Sequence, residues 1–403
     1  MLIIIALELL VKVIYNSAMK QNLSFLNRRE FLRMVSAIGI SSALAALLEA
    51  CSSYLPVAST PTSSASLSVT KVPTQTVATP SSVQIPSSTP APTVTPVQTV
   101  APDKAIVSLV RTSDRASGVR QAIDLLNISP ITGKSVFLKP NFNSADPTPG
   151  STHPDTLRAL IVRLQELGAG KITIGDRSGM GDTRRVMNQL GVFDMAQELG
   201  CEVLVLYELS AEAWVNHQPT GSHWLKGFPF ARPCLESDVI VQTCCLKTHR
   251  YGGHFTLSLK NSVGLVAKRV PGEDYDYMNE LHGSPYQRSM IAEINTAYTP
   301  NLIVMDGVDA FVTGGPDTGE RVSPKVLLAS TDRVAIDAVG VAILRHFGTT
   351  TEVSSGQIFA QEQIARAVEL GLGVEKPQKI QFATGNAESA DFAEQINNIL
   401  LQN

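Results

Sequence analysis

The sequence predicts an α/β fold, with a mostly parallel, Rossmann-like sheet covered by helices. After residue 103, short apolar runs typical of buried strands alternate with amphipathic stretches typical of helices. Polar residues gather directly after several of the apolar runs, as expected where strands end at a ligand-binding edge. With 403 residues, of which 44% are hydrophobic and 17% charged, the chain is long enough and apolar enough to build a large core.

Each apolar run or amphipathic stretch was assigned to one element. The predicted strands are Ala105–Val110, Ser135–Leu138, Lys171–Ile174, Cys201–Leu206, Asp238–Thr243, Asn301–Met305, Val326–Ala329 and Lys379–Thr384. The predicted helices are Gly118–Leu126, Asp155–Leu167, Thr183–Leu199 with a break at Gly191, Arg333–Phe347, Gln357–Leu370 and a closing helix. Ser210–Arg232 has little periodicity and is predicted to be an excursion, either a hairpin or a lid.

Charge and cysteine content exclude two classes of function. A net charge of −3, without an arginine-rich run, gives no reason to expect nucleic acid as a partner. None of the five cysteines forms a C-x-x-C pair, so the chain has no iron–sulfur cysteine motif and no thiolate zinc motif.

Residues 1–51 resemble an export signal. Asn27–Arg33 (NRREFLR) looks like a twin-arginine motif, and the apolar stretch Met34–Leu48 follows it. That stretch is shorter than the roughly 20 residues that a membrane-spanning helix needs, so a cleaved signal is favoured over a permanent anchor helix. Because such signals lie near the amino terminus, translation is expected to begin at Met19.

The end of the signal offers two processing sites. Leu48–Cys51 (LEAC) resembles a lipobox and predicts a lipoprotein, membrane-anchored through Cys51 at the cell surface or the periplasmic face of the membrane. The alternative is cleavage after Ala43–Ala45 (ALA), which leaves an unmodified thiol. Residues 52–102 are rich in Ser, Thr and Pro and predict a disordered linker, which leaves 103–403 as the folded domain.

Polar side chains follow four predicted strands at the points where the strands end. In an open α/β sheet, ligands bind outside the carboxyl ends of the strands, so these side chains are expected to share one rim. Structural interpretations compete with this one: Asp176 as a helix cap or turn residue, Asn141 and Asn143 as turn formers, and Asp306 in an Asp-Gly turn. Lys139, Asn141 and Asn143 follow Ser135–Leu138, and Asp176 follows Lys171–Ile174. Lys247 and His249 follow Asp238–Thr243, and Asp306 follows Asn301–Met305.

The stretch Leu246–Lys268 is the densest in reactive side chains. Burying a hydrogen-bond donor without an acceptor is unfavourable in free energy, so the stretch predicts a bound anion or metal. The alternative is a basic loop whose donors are solvated. In the ligand-binding interpretation Lys247, His249 and Lys260 are catalytic, with the lysines holding an anion and His249 acting as general acid/base. His249 and His254 are candidate ligands of nickel, iron or zinc, and Asn261 is a further binding residue.

Several motifs follow one another in a specific order along the chain. They are Lys139–Asn141, Lys247–His249, Thr256–Gly264, His282–Gly283, Val304–Gly307, Gly315–Pro316 with Gly319, and Ser330–Asp337. This order resembles the "domain of unknown function 362" family over most of Asp103–Phe347. The resemblance implies the fold and the place of the site, but no reaction, because the family's activity is largely unassigned. Many relatives carry ferredoxin-type cysteine motifs, which this chain lacks.

A more distant similarity concerns His249–His254 together with Lys260. These residues are loosely similar to the N-terminal half of nickel-dependent lactate racemases, in which a histidine-bearing, glycine-rich loop followed by a lysine holds a nickel-pincer cofactor. The similarity implies a metal-containing cofactor as one candidate ligand.

Three functions are compatible with the sequence. The first is an exported enzyme that acts on a small anionic substrate as an isomerase, an oxidoreductase or a hydrolase, with Asp176 and Asp306 orienting a lysine or binding a hard cation. The second is a tethered solute-binding protein that captures an anion without turning it over. The third is a purely structural surface protein.

Overall fold

The computed structural model describes residues 103–402. The predicted export signal, the lipidation site at Cys51 and the linker at 52–102 lie outside these residues, and they stay predictions together with the domain boundaries. Within residues 103–402 no helix is long and apolar enough to cross a bilayer.

Most strands of the described region belong to one mixed sheet, and two form a separate hairpin. The strands are β1 (Ala105–Arg111), β2 (Val136–Lys139), β3 (Ile172–Asp176), β4 (Glu202–Val205), β5 (Trp214–His217), β6 (Phe228–Ala231), β7 (Val239–His249), β8 (His254–Thr256), β9 (Leu302–Gly314), β10 (Gly319–Val322), β11 (Val326–Ser330) and β12 (Ile380–Ala383).

The helices cover both faces of that sheet. They are α1 (Arg115–Asp124), α2 (Pro154–Glu166), α3 (Thr183–Gln189), α4 (Val192–Leu199), α5 (Arg232–Leu235), α6 (Ser258–Asn261), α7 (Tyr277–Gly283), α8 (Gln287–Ile294), α9 (Arg333–His346), α10 (Thr351–Ser354), α11 (Glu362–Glu369) and α12 (Ala387–Leu401). Short 3-10 turns include Ser262–Leu265, which continues α6, and Ile358–Ala360.

The main sheet has the strand order β12-β1-β11-β9-β7-β2-β3-β4, with β10 added beside β9 and β8 beside β7. From β9 to β4 the neighbouring strands are all parallel, whereas β11 is antiparallel to both β9 and β1. The predicted α/β fold with a mostly parallel sheet is therefore confirmed. The four strands whose ends carry the predicted site residues, β9, β7, β2 and β3, are consecutive in this order, so their carboxyl ends form one edge.

Several predicted elements differ in extent from the observed ones. Strand β7 runs on to His249 and β9 runs on to Gly314, because beyond the parallel core β7 pairs with β8 and β9 pairs with β10. Lys247 and Asp306 therefore lie within strands and not in loops after them. The break at Gly191 separates α3 from α4, with a backbone φ of 70° that favours glycine. The excursion Ser210–Arg232 contains the antiparallel β5–β6 hairpin.

The core consists of apolar layers on the two faces of the sheet. Helix α9 is buried along almost its whole length against one face, which explains why its sequence is apolar on all sides. Helices α1 and α2 pack on the opposite face. A third apolar cluster, which includes Trp214 and Trp224, lies beneath the β5–β6 hairpin and α8.

Candidate active site

A small cavity lies at the carboxyl ends of β2, β3 and β7 and encloses about 50 Å³. The segment from Thr256 to Gly264 and the β9–β10 turn at Pro316 complete its wall. The structure thus brings together side chains that are more than a hundred residues apart in the chain. The predicted site residues that line it are Lys139, Asn141, Asn143, Asp176, His249, Lys260 and Asn261.

Lys139 and Asp176 form a buried ion pair at this cavity, with 2.8 Å between Nζ and Oδ1 and at most 2% of either side chain exposed. Lys139 Nζ also donates to the Pro140 carbonyl at 2.6 Å and to Asn261 Oδ1 at 3.1 Å. Burial lowers the pKa of Lys139 and raises the pKa of Asp176, and in each case the attraction of the partner opposes the shift. Each of the three N–H donors of the Lys139 ammonium group has an acceptor in the protein. This lysine therefore links β2 to β3 and has no free donor for a ligand.

Backbone geometry around the pair is tight. The Asp176 carboxylate also accepts the backbone N–H groups of Phe142 at 2.7 Å and of Arg177 at 2.6 Å. A Cβ atom at Gly264 would lie 2.8 Å from Lys139 Nζ and would overlap the Asp176 carboxylate. Glycine at this position therefore lets the backbone after α6 approach the ion pair closely.

Lys247 is fully buried and connects three chain segments. Its Nζ donates to Asn141 Oδ1 at 2.9 Å, to the Pro316 carbonyl at 3.1 Å and to the Gly150 carbonyl. These three acceptors are uncharged, and they use all the donors of the ammonium group. Burial lowers the pKa of Lys247.

Asn261 fixes the junction of β2 and β7. Its Oδ1 accepts the bond from Lys139, and its Nδ2 donates to the carbonyl oxygens of Thr243 at 3.2 Å and Lys139 at 3.4 Å. Its amide is therefore fully engaged with the protein.

Lys260 differs from the other two lysines. It is 8% exposed and lines the cavity, yet its Nζ has no hydrogen-bond or ion-pair partner among residues 103–402. Burial, with smaller contributions from the positive charges of Lys247 and Arg177, lowers the pKa of Lys260 to about 8. Asp337 on α9 holds the helix that carries this lysine, since it accepts the backbone N–H groups of Ser258 at 2.8 Å and Leu259 at 2.9 Å.

Two further polar atoms in the lining are buried and unpartnered. They are the Nδ2 amide nitrogen of Asn143 and the hydroxyl oxygen of Thr256. Unsatisfied buried polar atoms are uncommon in native proteins and often mark a place where water or a ligand binds. Together with Lys260 Nζ, these two atoms have no hydrogen-bond partner within the described region.

His249 is 7% exposed and lines the same cavity. Its Nδ1 accepts the backbone N–H of Gly253 at 3.3 Å, so the neutral ring carries its proton on Nε2. Burial, followed by the positive charge of Lys260, lowers the pKa of His249 well below its usual value. A Cβ at Gly253 would lie 2.9 Å from both His249 Nδ1 and Lys260 Cε, which shows how closely these two side chains approach the same backbone.

The lining is rich in positive charge: Lys139, Arg177 and Lys260 lie around the single carboxylate of Asp176. The Arg177 guanidinium donates to the backbone carbonyls of Val266 at 2.7 Å and Val263 at 2.8 Å, so it braces the segment after α6. Sequence analysis did not assign Arg177 to the site, although it directly follows Asp176. Thr256 was also missed as a site residue, because nothing in the local pattern predicts the short strand β8 that carries it.

A second cavity, of about 370 Å³, shares part of this lining and opens outward. Both cavities are lined by Lys260, His249, Asn143 and Arg177. His282 lines only the outer one, and its Nδ1 lies 2.7 Å from the Met278 carbonyl. The outer cavity gives the enclosed donors a route to solvent.

Asp306 was predicted to reach the same rim, and the structure places it elsewhere. Its carboxylate accepts from Arg115 Nε at 2.8 Å, from Thr156 Oγ1 at 2.6 Å and from the Val308 backbone N–H at 3.0 Å. Since Arg115 lies on α1 and Thr156 on α2, Asp306 fastens these helices to β9 and does not orient a lysine in the cavity.

The candidate metal ligands His249 and His254 lie opposite each other in the β7–β8 pairing. His254 does not line the inner cavity, and Nδ1 of His249 is already occupied by a backbone N–H group. Among residues 103–402 no group of three or more His, Cys, Asp or Glu side chains is placed to hold a metal ion. The described residues therefore do not fit a metal held by three or four protein side chains.

Comparison with known proteins shows similarity to a sequence family, to a cyanobacterial protein and to a solved structure. The sequence model described as "Domain of unknown function (DUF362)" matches residues 136–342. Thylakoid-associated protein sll1697 of Synechocystis sp. is 27% identical over 252 residues, which cover 59% of this chain and 74% of that protein. The lactate racemase apoprotein from Thermoanaerobacterium thermosaccharolyticum superposes with a TM-score of 0.35 and 12% identity, covering 72% of this chain and 85% of its own.

Proposed function

This chain belongs to the family named domain of unknown function 362, and we propose that its α/β domain binds a small carboxylate-bearing ligand in the cavity beside Lys260. The observation that carries the proposal is the set of three unpartnered groups around one enclosed space, Lys260 Nζ, Asn143 Nδ2 and Thr256 Oγ1. All three can donate a hydrogen bond, and one is charged.

A carboxylate satisfies this arrangement best. Its two oxygens accept several hydrogen bonds, and a charge-assisted bond from an ammonium group is about twice as strong as a neutral one. The inner volume of about 50 Å³ holds only a small group, so the anionic end of the ligand sits there and the remainder extends into the outer cavity of about 370 Å³.

The side chains divide into two sets of roles. Lys260, Asn143 and Thr256 contact the ligand, and His249 presents its Nε2–H as a further donor. The positioning residues are Lys139, Asp176, Lys247 and Asn261, whose hydrogen-bonding groups are occupied by other protein groups. Asn141 acts with them through its Oδ1, which accepts from Lys247.

A neutral imidazole beside an amine of lowered pKa also permits proton transfer near neutral pH. This supports an enzyme that acts on the bound carboxylate, by isomerisation, oxidation–reduction or hydrolysis. The second candidate, a solute-binding protein without turnover, uses the same cavity. It is favoured if the ligand is released from the protein chemically unchanged.

Calorimetric titration with small carboxylates such as acetate, lactate and pyruvate tests the binding site. We expect Lys260→Met to weaken binding by about tenfold or more, because a charge-assisted hydrogen bond contributes roughly 1.5–3 kcal/mol. Affinity should also fall as the pH rises above about 8, where Lys260 loses its proton. Lys171→Met is the matched control, since Lys171 is exposed and pairs with the exposed Glu202. Equal affinity of wild type and Lys260→Met would rule out this site.

We also propose that the domain is exported and held at a membrane by a lipid on Cys51. The support is the twin-arginine-like and lipobox-like sequence, together with a relative whose name describes it as thylakoid-associated. Mass spectrometry of the mature protein should find an amino-terminal, lipid-modified Cys51, and Cys51→Ser should release the protein from membranes. A mature chain that begins at Ala46 with an unmodified Cys51 would contradict the lipid anchor.

A further inference from the structure

Two buried lysines, Lys139 and Lys260, line the cavity, and a third, Lys247, bonds to the lining residues Asn141 and Pro316. Within the described region only one of the three has a free amine. Lys139 and Lys247 each donate to three acceptors, as set out above, whereas Lys260 Nζ donates to none. A lysine that is more than nine-tenths buried and lines a ligand cavity with an unpartnered amine is available for covalent chemistry that its neighbours cannot perform.

We propose that Lys260 forms a Schiff base with the carbonyl carbon of a small aldehyde or ketone that also carries a carboxylate, as a 2-oxo acid does. The inference rests on the proposed carboxylate site and adds a reactive carbonyl to the ligand. When such a ligand binds, the Lys260 ammonium, Asn143 and Thr256 hold its carboxylate. After Lys260 loses a proton, Asn143 and Thr256 retain the carboxylate and the neutral Nζ is free to attack the adjacent carbon.

The reaction balances without any additional reagent. Lys260 first releases one proton to solvent through the outer cavity, and its neutral amine then attacks the carbonyl carbon to form a carbinolamine. His249 Nε2–H donates a hydrogen bond to the oxygen that leaves. The carbon–oxygen bond breaks, the returning proton completes the leaving water, and a protonated imine remains, so one carbonyl and one ammonium group give one iminium and one water.

The surroundings of Lys260 favour its neutral form. Burial is the largest cause of the lowered pKa, and the next are the positive charges of Lys247 and Arg177. On the order of a tenth of the amine is neutral at pH 7 when the pKa is about 8. The titratable and charged groups that face it are Lys247 and His249 from β7, Lys139 from β2, Asp176 and Arg177 at the end of β3, and His282 from α7.

Reductive trapping tests the inference on the folded protein. Wild type is incubated with pyruvate or glyoxylate and sodium cyanoborohydride, and the intact mass and the modified peptide are measured. We expect one reduced adduct per chain on Lys260, with a rate that rises at least several-fold between pH 6 and pH 8 as the neutral amine becomes more abundant. Lys260→Arg keeps a positive charge and should lose the adduct, while Lys171→Arg should react as wild type does.

The outcomes separate this inference from the proposed function. If wild type binds a carboxylate but forms no adduct, the proposal of a Schiff base is contradicted and the proposal of a carboxylate site is supported. Adducts spread over surface lysines, unchanged in Lys260→Arg, also contradict it. Absence of both binding and adduct contradicts both proposals. Should Lys260→Arg fail to fold, the position of the adduct in the wild-type peptide map decides the question.

Discussion

Replacing Lys139 with methionine is expected to lower the free energy of unfolding by about 3–5 kcal/mol, the range found when one partner of a buried ion pair is removed. The loss arises because Asp176 would remain buried beside apolar atoms, with only two backbone N–H groups to stabilise its charge. Urea denaturation followed by the fluorescence of the buried Trp214 and Trp224 measures the change.

An exposed pair provides the control for this experiment. Lys171 and Glu202 are also 2.8 Å apart, but both side chains are more than half exposed, so Lys171→Met should change the free energy of unfolding by less than about 1 kcal/mol. Adding Asp176→Asn to Lys139→Met should recover part of the loss, since the unpaired charge is removed. Equal effects of Lys139→Met and Lys171→Met would mean that the buried pair does not support the site.

Lys260→Met is expected to act in the opposite direction and to raise the free energy of unfolding. Burial holds the pKa of Lys260 at about 8 in the folded protein, against 10.5 for an ordinary lysine. A shift of this size corresponds to a destabilisation on the order of 3 kcal/mol that methionine would remove. Because the folded protein binds this proton more weakly than the unfolded chain does, the penalty is fully present below pH 8 and disappears as the pH rises towards 10.5.

Denaturation of wild type and Lys260→Met at pH 7 and again near pH 10 measures this difference. The gain from the substitution should be largest at pH 7 and should shrink at pH 10. Lys247→Met serves as the contrasting variant and should destabilise, because the acceptors on Asn141, Gly150 and Pro316 would lose their common donor. If Lys260→Met destabilised the protein as Lys247→Met does, Lys260 would have a structural partner and the proposed role would fail.

Much of the fold could be predicted because its signals are local. The alternation of apolar runs and amphipathic stretches placed β2, β3 and the start of β7 correctly, and parallel pairing then required their carboxyl ends to meet. The full length of β7 could not be predicted, since its last residues are held by β8, a strand of three residues with no periodicity of its own. A strand that continues through Lys247 also buries a side chain that a loop would expose.

The distinction among the three lysines lies beyond sequence reasoning for a different physical reason. Lys247 is satisfied by Gly150 and Pro316, which are 97 and 69 positions away in the chain, and no local pattern indicates those contacts. Asp306 likewise meets Arg115 across 191 positions and so leaves the rim where its strand was expected to end. Residue type and spacing placed the reactive groups near one edge of the sheet. The hydrogen-bond acceptors around each lysine amine, which the sequence does not reveal, show which amine has no partner within the described region.

The most direct test is the protonation of Lys260 itself, followed by NMR of protein labelled with ¹³C at lysine Cε and assigned by comparison with Lys260→Arg. We expect Lys260 to titrate near pH 8 in the free protein and its pKa to rise when a saturating carboxylate is added. Titration near 10.5, the ordinary lysine value, in both states would contradict the proposed site, because the amine would then be neither buried without a partner nor in contact with the ligand.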